Sequence, residues 1–197
     1  MISEVQICNM AVGHIGVKGI LSLEENHETA RKCKLYYSIA RDAALRDANW
    51  NFATSFAKLV KLADAAPGWE YLYAKPLNCV KVRKIFNDSS LHRPMLNDFR
   101  VIQAPNLNVP AIATSLELAW AEITYLTKDT NVFDPKFVED LSYKLASMLA
   151  VPLTGKEDVG RGLAALAAGI LGDTIHANAT EGSITPKKYS PLIESRY

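Results

Sequence analysis

Apolar residues in the first fifty positions recur at helical spacing. Ser3, with Gln6 three residues later, predicts the start of a helix with a capping box. This pattern ends in a glycine-rich stretch around Gly16. A second helix is predicted from about Asn26 to Asn49, with one apolar stripe along it. The stripe consists of Ala30, Cys33, Tyr37, Ala40 and Ala44. Together, the two segments predict a helical hairpin.

Between residues 51 and 127 the pattern changes from helical spacing to alternation. Trp69, Tyr71 and Tyr73 lie at period two, which would place their rings on one face of an extended segment. We interpret these aromatic residues as the core of a small sheet, with a ligand platform as the alternative. Other short strand-like runs cover residues 59–62, 79–86, 99–103 and 111–125.

Helical patterns return near the C-terminus. Asp134-Pro135 predicts a helix start, because aspartate is a good N-cap and proline suits the first helical position. Val151-Pro152 is expected to end that helix, and a last helix is predicted from about Asp158 to Ala177. This last helix contains small residues that would allow a neighbouring helix to approach closely, namely Gly160, Gly162, Gly169 and Gly172.

These patterns predict an α+β fold, in which a mainly helical bundle is interrupted by a small antiparallel β-rich part and followed by an extended C-terminal arm. The main domain is expected over residues 1–180, with helices in 3–49 and 134–178 and the β-rich insertion at about 51–127. Residues 181–197 have two prolines and no period, but several apolar side chains. They are interpreted either as a frayed terminus or as an arm that becomes ordered on a partner.

Composition excludes several classes of protein. The chain of 197 residues is 49% hydrophobic and 22% charged, which excludes a disordered or fibrous protein. Its 22 basic and 21 acidic residues leave a net charge of +1, so no global field would attract nucleic acid or an anionic membrane. Cys8, Cys33 and Cys79 are too far apart for a metal motif and are expected to be reduced. Without a signal peptide or an apolar span, the sequence predicts a soluble, intracellular protein and no membrane partner.

Motifs of catalysis or cofactor binding are not found. The four histidines lie in separate segments, and the Gly13–Gly19 stretch follows a helix where a dinucleotide site requires a strand. Adjacent carboxylates such as Glu139 and Asp140 are interpreted as solvated surface charges or as charges in the first turn of a helix. The sequence therefore predicts no catalytic residue, no cofactor and no metal site.

One strand-like segment carries alternating basic residues. Lys81, Arg83 and Lys84 lie among valines and isoleucine. We interpret them as a solvated face, with contact to phosphates in a channel as the alternative.

An ordered series of segments covers about residues 5–155. It consists of Asn9–Gly16, Ser22–Glu25, Ala30–Tyr37, Arg41-Asp42, Trp50–Ala53, Trp69–Tyr73, Pro76–Val82, Tyr125, Asp129, Phe133–Phe137 and the helix through Leu145-Ala146. In order and spacing, this series resembles the tail tubular protein A family, the head-to-tail adaptors (connectors) of short-tailed phages. The resemblance depends on structural residues and includes no catalytic signature.

The resemblance implies a structural protein of the virion, made in the host cytoplasm and located at the head–tail interface. Such a protein forms a ring of about 12 copies below the portal ring. The ring extends the channel for genomic DNA, which passes without sequence-specific contact, and provides the platform for the tail nozzle protein. In related adaptors the C-terminal segment reaches towards the portal, which implies a docking role for Lys187, Tyr189, Leu192, Ile193 and Tyr197.

Two other classes of function are kept as alternatives. One is a nucleic-acid-binding module, whose affinity would fall with increasing salt concentration. The other is a small cell-wall hydrolase that uses acids such as Glu117 and Glu122.

Overall fold

The structure, a computed structural model, describes residues 2–87 and 98–180. In this part of the chain, two α-helices precede the strands and two follow them. The helices are α1 (Glu4–His14), α2 (Glu28–Asp47), α3 (Pro135–Thr154) and α4 (Glu157–Thr180). The predicted capping box at the start of α1 is confirmed, since the Ser3 hydroxyl accepts from the Gln6 amide and the Gln6 side chain accepts from the Ser3 amide. The Asp134 cap and the proline at the start of α3 are confirmed as well.

Helix α3 continues through Pro152, so the prediction that Val151-Pro152 ends this helix is wrong. The helix ends instead at Gly155, which adopts the left-handed conformation with φ of 70°. Proline costs one backbone hydrogen bond in the last turn. The packing of α3 against the other helices, with Leu145 and Leu149 fully buried, offsets that loss.

The central part of the chain forms two antiparallel sheets. The strands are β1 (Thr54–Lys58), β2 (Val60–Lys61), β3 (Tyr71–Ala74), β4 (Cys79–Asn87), β5 (Phe99–Gln103), β6 (Pro110–Thr114) and β7 (Ala119–Tyr125). The three-stranded sheet has the order β1-β7-β4, and the four-stranded sheet has the order β2-β3-β6-β5. Leu59 separates β1 from β2 and donates its amide to the Ala119 carbonyl, so one extended segment contributes a strand to each sheet.

The prediction of a mainly helical bundle with a small β-rich part is wrong. The protein is α+β, with 45% of the described residues in helices and 23% in strands, and the strands enclose hydrophobic cores of their own. One core lies between the two sheets and includes Tyr73, Ile85, Ile112 and Ile123. Alternation identified individual strands, but it could not indicate that they pair into two sheets with apolar residues between them.

A third apolar cluster covers the other face of the four-stranded sheet. It contains Leu72, Ala111 and Ala113, and Trp69 packs against it. Neighbouring positions of β3 and β6 therefore face different cores, and both central strands are buried on both faces. Trp69 precedes β3 and packs with Leu72, so it does not share the face of Tyr73.

The helices form a separate core to which all four contribute. Ile7 and Val12 of α1, Leu45 of α2, Leu141 of α3 and Leu163 of α4 belong to it. In α4, only Gly160 among the four glycines is close to another helix, since a Cβ atom there would lie 3.3 Å from the Ser147 carbonyl oxygen of α3. Gly162, Gly169 and Gly172 face open space.

Candidate functional site

An aromatic cluster lies where the chain passes from the helices to the first sheet. The Trp50 ring is fully buried, lies 5.0 Å from the Phe137 ring in an edge-on contact, and donates from Nε1 to the Ala44 carbonyl at 2.9 Å. Phe52 and Phe133 complete the cluster, with ring centroids 5.7 Å apart. Two of the segments that carry the family resemblance, Trp50–Ala53 and Phe133–Phe137, thus meet in one place although about eighty residues separate them.

The buried side chain of Arg83 connects this cluster to the three-stranded sheet through hydrogen bonds. Its side chain is only 3% exposed. The guanidinium donates to Thr124 Oγ1 at 2.9 Å, Thr54 Oγ1 at 2.6 Å and the Trp50 carbonyl at 3.1 Å. Burial lowers the pKa of Arg83, and Glu122, 3.8 Å away, opposes that effect.

The basic residues predicted to share a strand face have different surroundings. The register of β4 against β7 shifts between Val82 and Lys84, so Arg83 lies at a β-bulge. Lys84 lies opposite Glu122 and pairs with it at 3.2 Å, with its own side chain 45% exposed. Lys81 donates to the Arg46 carbonyl at 3.3 Å. Arg83 is thus held in the interior, and contact of Lys81 and Lys84 with phosphates stays a prediction.

The two acids of the hydrolase alternative belong to different local structures. Glu122 lies on β7 beside Arg83 and Lys84. Glu117 is exposed in the turn before β7, where its backbone carbonyl accepts a hydrogen bond from the Tyr73 hydroxyl.

A histidine and a serine make contact between α1 and α3. His14 Nε2 lies 3.1 Å from Ser142 Oγ, and the imidazole stacks on the Tyr143 ring at 4.1 Å. Burial lowers the pKa of His14. The Ser142 hydroxyl, however, is fully buried and donates to the Glu139 carbonyl at 2.8 Å, so the histidine does not accept its proton as a catalytic base would.

All three cysteines are free and buried. The thiols of Cys8 and Cys33 form a hydrogen bond between α1 and α2, and this contact together with burial raises the pKa of Cys8. Cys8 is thus a small core residue with little thiolate character, whereas the same hydrogen bond lowers the pKa of Cys33.

Asp140 is the residue that sequence reasoning assigned wrongly. It was interpreted with Glu139 as a solvated pair, yet Asp140 is only 1% exposed. Neither of its carboxylate oxygens has a hydrogen-bond partner among the described residues. Burial raises the pKa of this carboxyl to about 6. The sequence held one signal: Asp140 lies between Phe137 and Leu141, within the apolar stripe of α3.

Within residues 2–87 and 98–180, no three His, Cys, Asp or Glu side chains come together in a way that could hold a metal ion. None of the helices in this part of the chain is long and apolar enough to cross a membrane. The residues with an expected docking role, Lys187, Tyr189, Leu192, Ile193 and Tyr197, lie outside the described residues.

Comparison of the sequence with models of protein families and with curated proteins found no match. The likeness to head-to-tail adaptors therefore rests on the ordered segments alone.

Proposed function

We propose that this chain is a structural head-to-tail adaptor of a short-tailed phage. It would assemble as a ring below the portal, extend the channel for genomic DNA and bind the nozzle protein on its other side. The observation that carries the proposal is the convergence of the resembling segments at the Trp50 and Phe137 rings, 5.0 Å apart. Segments that are distant in sequence resemble one family and share one core, which favours a common structural origin over unrelated short matches.

Exposed apolar side chains also support a subunit of an assembly. Leu35 and Ile39 lie one turn apart on α2 and are 57% and 53% exposed. Phe56, on the edge strand β1, is 60% exposed. A ring subunit buries part of its surface only after it has met its neighbours, and exposed apolar groups of this kind are typical of such surfaces.

Native mass spectrometry of the full chain, alone and mixed with the portal ring of the same phage, tests the proposal. We expect a monomer that becomes a ring of about 12 copies on the portal, because docking would align the subunits for their heterologous contacts. A chain that ignores the portal would contradict the proposal. In that case a salt-dependent shift with short DNA would support the nucleic-acid alternative.

A truncated chain ending at residue 181 examines the role of the arm in the same experiment. We expect it to lose portal binding and to keep the circular dichroism spectrum of the full chain. A matched control combines Ser190→Ala and Glu194→Ala, which leaves the length and the apolar residues of the arm unchanged and should bind normally. If the truncated chain binds as the full chain does, the docking role of the arm is wrong.

A further inference from the structure

One side of helix α2 carries charged and apolar residues in a regular order. At 100° per residue, six side chains of this helix fall within an arc of about 80°. In chain order, this outer face of α2 consists of Glu28, Arg31, Leu35, Ile39, Asp42 and Arg46. Buried residues of the helix, such as Cys33, Tyr37 and Ala44, lie on the opposite side and belong to the helical core. The outer face therefore points away from that core.

The centre of the outer face is apolar and exposed. Leu35 and Ile39 are one helical turn apart, and their exposed fractions are 57% and 53%. Neither residue belongs to the helical core. Two adjacent aliphatic side chains in water favour contact with another apolar surface, since each gains free energy when it is buried.

The two acids of the outer face can accept further hydrogen bonds. Glu28 is exposed and makes no hydrogen bond or ion pair with any of the described residues. Asp42 pairs with Arg41, but both contacts use Oδ1 of the aspartate, at 2.9 and 2.8 Å. Within the described part of the chain, Oδ2 of Asp42 accepts no hydrogen bond, and 46% of the side chain is exposed.

The two arginines of the outer face can donate further hydrogen bonds. Both are exposed. Arg31 donates from Nη1 to Asn26 Oδ1, and Arg46 donates from Nη1 to the Val80 carbonyl, each at 2.8 Å. A guanidinium group has five N–H donors, so each arginine can also pair with a carboxylate of another molecule.

The order of charges along the outer face is complementary to itself. It reads acid, base, two apolar residues, acid, base. When a second copy of the face is laid antiparallel on the first, Glu28 faces Arg46 of the second copy, because these two positions are equally distant from the level of Tyr37. Leu35 faces Ile39 for the same reason, so the apolar centres meet.

The remaining charges fit the same antiparallel arrangement. Arg31 and Asp42 lie on one edge of the outer face, and antiparallel packing places Arg31 of one copy beside Asp42 of the other. In a parallel arrangement, Glu28 would meet Glu28 and Arg46 would meet Arg46, which is repulsive. The charges thus select the antiparallel direction.

We propose that two copies of this chain associate through the outer faces of their α2 helices, antiparallel and about a twofold axis. Such an interface uses the same surface on both copies and closes at the dimer. Subunits of a ring meet through unlike surfaces, so this pair is a separate association of the free chain and does not rest on the adaptor proposal.

The size of the contact sets its strength. One helix face on another buries less than the roughly 1,200 Å² of a stable interface, and exposed ion pairs add little, so we expect a dissociation constant of about 0.1–1 mM. The chain is then a monomer at the micromolar concentrations of native mass spectrometry and a dimer in concentrated solution.

Sedimentation equilibrium of the full chain, from about 10 µM to 1 mM, tests the proposal. We expect a monomer–dimer equilibrium without larger species, because a twofold interface is closed. Ile39→Glu should weaken the dimer about tenfold or more, since it places two like charges in the apolar centre. Leu166→Glu is the matched control, because Leu166 is 56% exposed on α4, and it should associate as the wild type does.

Exchange of charges tests the antiparallel direction. Glu28→Arg alone and Arg46→Glu alone should each weaken the dimer about tenfold, because each change creates two repulsive contacts. An equal mixture of the two variants should regain the wild-type affinity, since every arginine then faces a glutamate. Glu70→Arg changes the net charge by the same amount at an exposed position outside α2 and should leave the affinity unchanged. Circular dichroism checks that each variant is folded.

Each contrary outcome overturns a stated part of the proposal. A chain that remains a monomer at 1 mM would contradict the association, at the upper limit of about 1 mM expected for its dissociation constant. A dimer that Ile39→Glu does not weaken would assign the contact to another surface. If Glu28→Arg and Arg46→Glu each associate as the wild type does, the antiparallel direction is wrong. None of these results depends on whether the chain binds a portal.

Discussion

Arg83 and Asp140 are both charged and both lie in the interior, but their surroundings differ. Arg83 donates to two threonine hydroxyls and one carbonyl and lies near Glu122. Asp140 has no hydrogen-bond partner among the described residues. The first charge is therefore a fixed part of the structure, whereas the second destabilises the folded state when its carboxyl is ionised.

Replacement of Arg83 is expected to destabilise the protein strongly. Arg83→Met would remove the donor to the buried Thr124 hydroxyl, the donor to the half-buried Thr54 hydroxyl and one of the donors to the Trp50 carbonyl, at a cost of about 3–5 kcal/mol in the free energy of unfolding. Lys84→Met is the matched control on the same strand and should cost no more than about 1 kcal/mol, since Lys84 is largely solvated. Urea denaturation measures both; equal losses would contradict the structural role of Arg83.

Asp140→Asn is expected to stabilise the protein at neutral pH. The pKa of Asp140 is about 6 in the folded state, against 3.8 for an unperturbed carboxyl. Between these two pH values the carboxyl is therefore mostly protonated in the folded state and mostly ionised in the unfolded state. Wild-type stability should consequently fall as the pH rises from about 4 to 6, and the full penalty of roughly 2–3 kcal/mol should be present above pH 6.

Urea denaturation of wild type and Asp140→Asn between pH 3.5 and 8 measures this difference. The advantage of the variant should be largest above pH 6 and should become small towards pH 3.5, below the unperturbed value of 3.8, where most of the wild-type carboxyl is protonated in both states. An advantage that does not change with pH would show that ionisation of Asp140 is not its cause.

At the scale of elements, the glycines of helix α4 differ in whether a Cβ atom would meet the neighbouring helix. Gly160 lies where α4 approaches α3, and a Cβ atom there would meet the Ser147 carbonyl oxygen at 3.3 Å. Gly169 faces open space on the same helix. Sequence alone could predict that small residues allow a close helix approach, but it could not indicate which glycine makes that approach.

Alanine substitutions at these two positions should have different effects. Gly169→Ala should raise the free energy of unfolding by about 0.5–1 kcal/mol, because alanine favours the helix and no neighbour is displaced. Gly160→Ala should be at least about 1 kcal/mol less stable than Gly169→Ala, because α4 must shift away from α3. Thermal and urea unfolding measure both variants; equal stabilisation would contradict the close contact at Gly160.

At the scale of the whole molecule, Trp50 connects the core between the helices with the first sheet. The helices enclose one core and the sheets enclose others, and Trp50 lies between them. Its ring packs against Phe137, while its carbonyl accepts hydrogen bonds from Arg83 and Thr54. In the adaptor that we propose, this connection would join the part of the subunit that holds the ring to the part that presents the platform for the nozzle.

The sequence by itself determined the local features of this protein. Ser3 with Gln6 and Asp134 with Pro135 mark helix starts, because capping uses groups within a few residues of one another. Alternation located strands such as Cys79–Asn87, since a half-buried strand repeats every two residues. The end of α3 was predicted wrongly, because packing of the helix compensates for the backbone hydrogen bond that Pro152 cannot make.

Only the tertiary structure decided how the strands pair and which charges are buried. A bulge in β4 places Arg83 beside Trp50 and Thr54, about thirty residues earlier in the chain. The folded chain buries the Asp140 carboxyl, which the local pattern placed in solvent. Hydrogen bonding and burial at these sites depend on residues distant in sequence, whereas periodicity describes only the neighbours of each residue along one element.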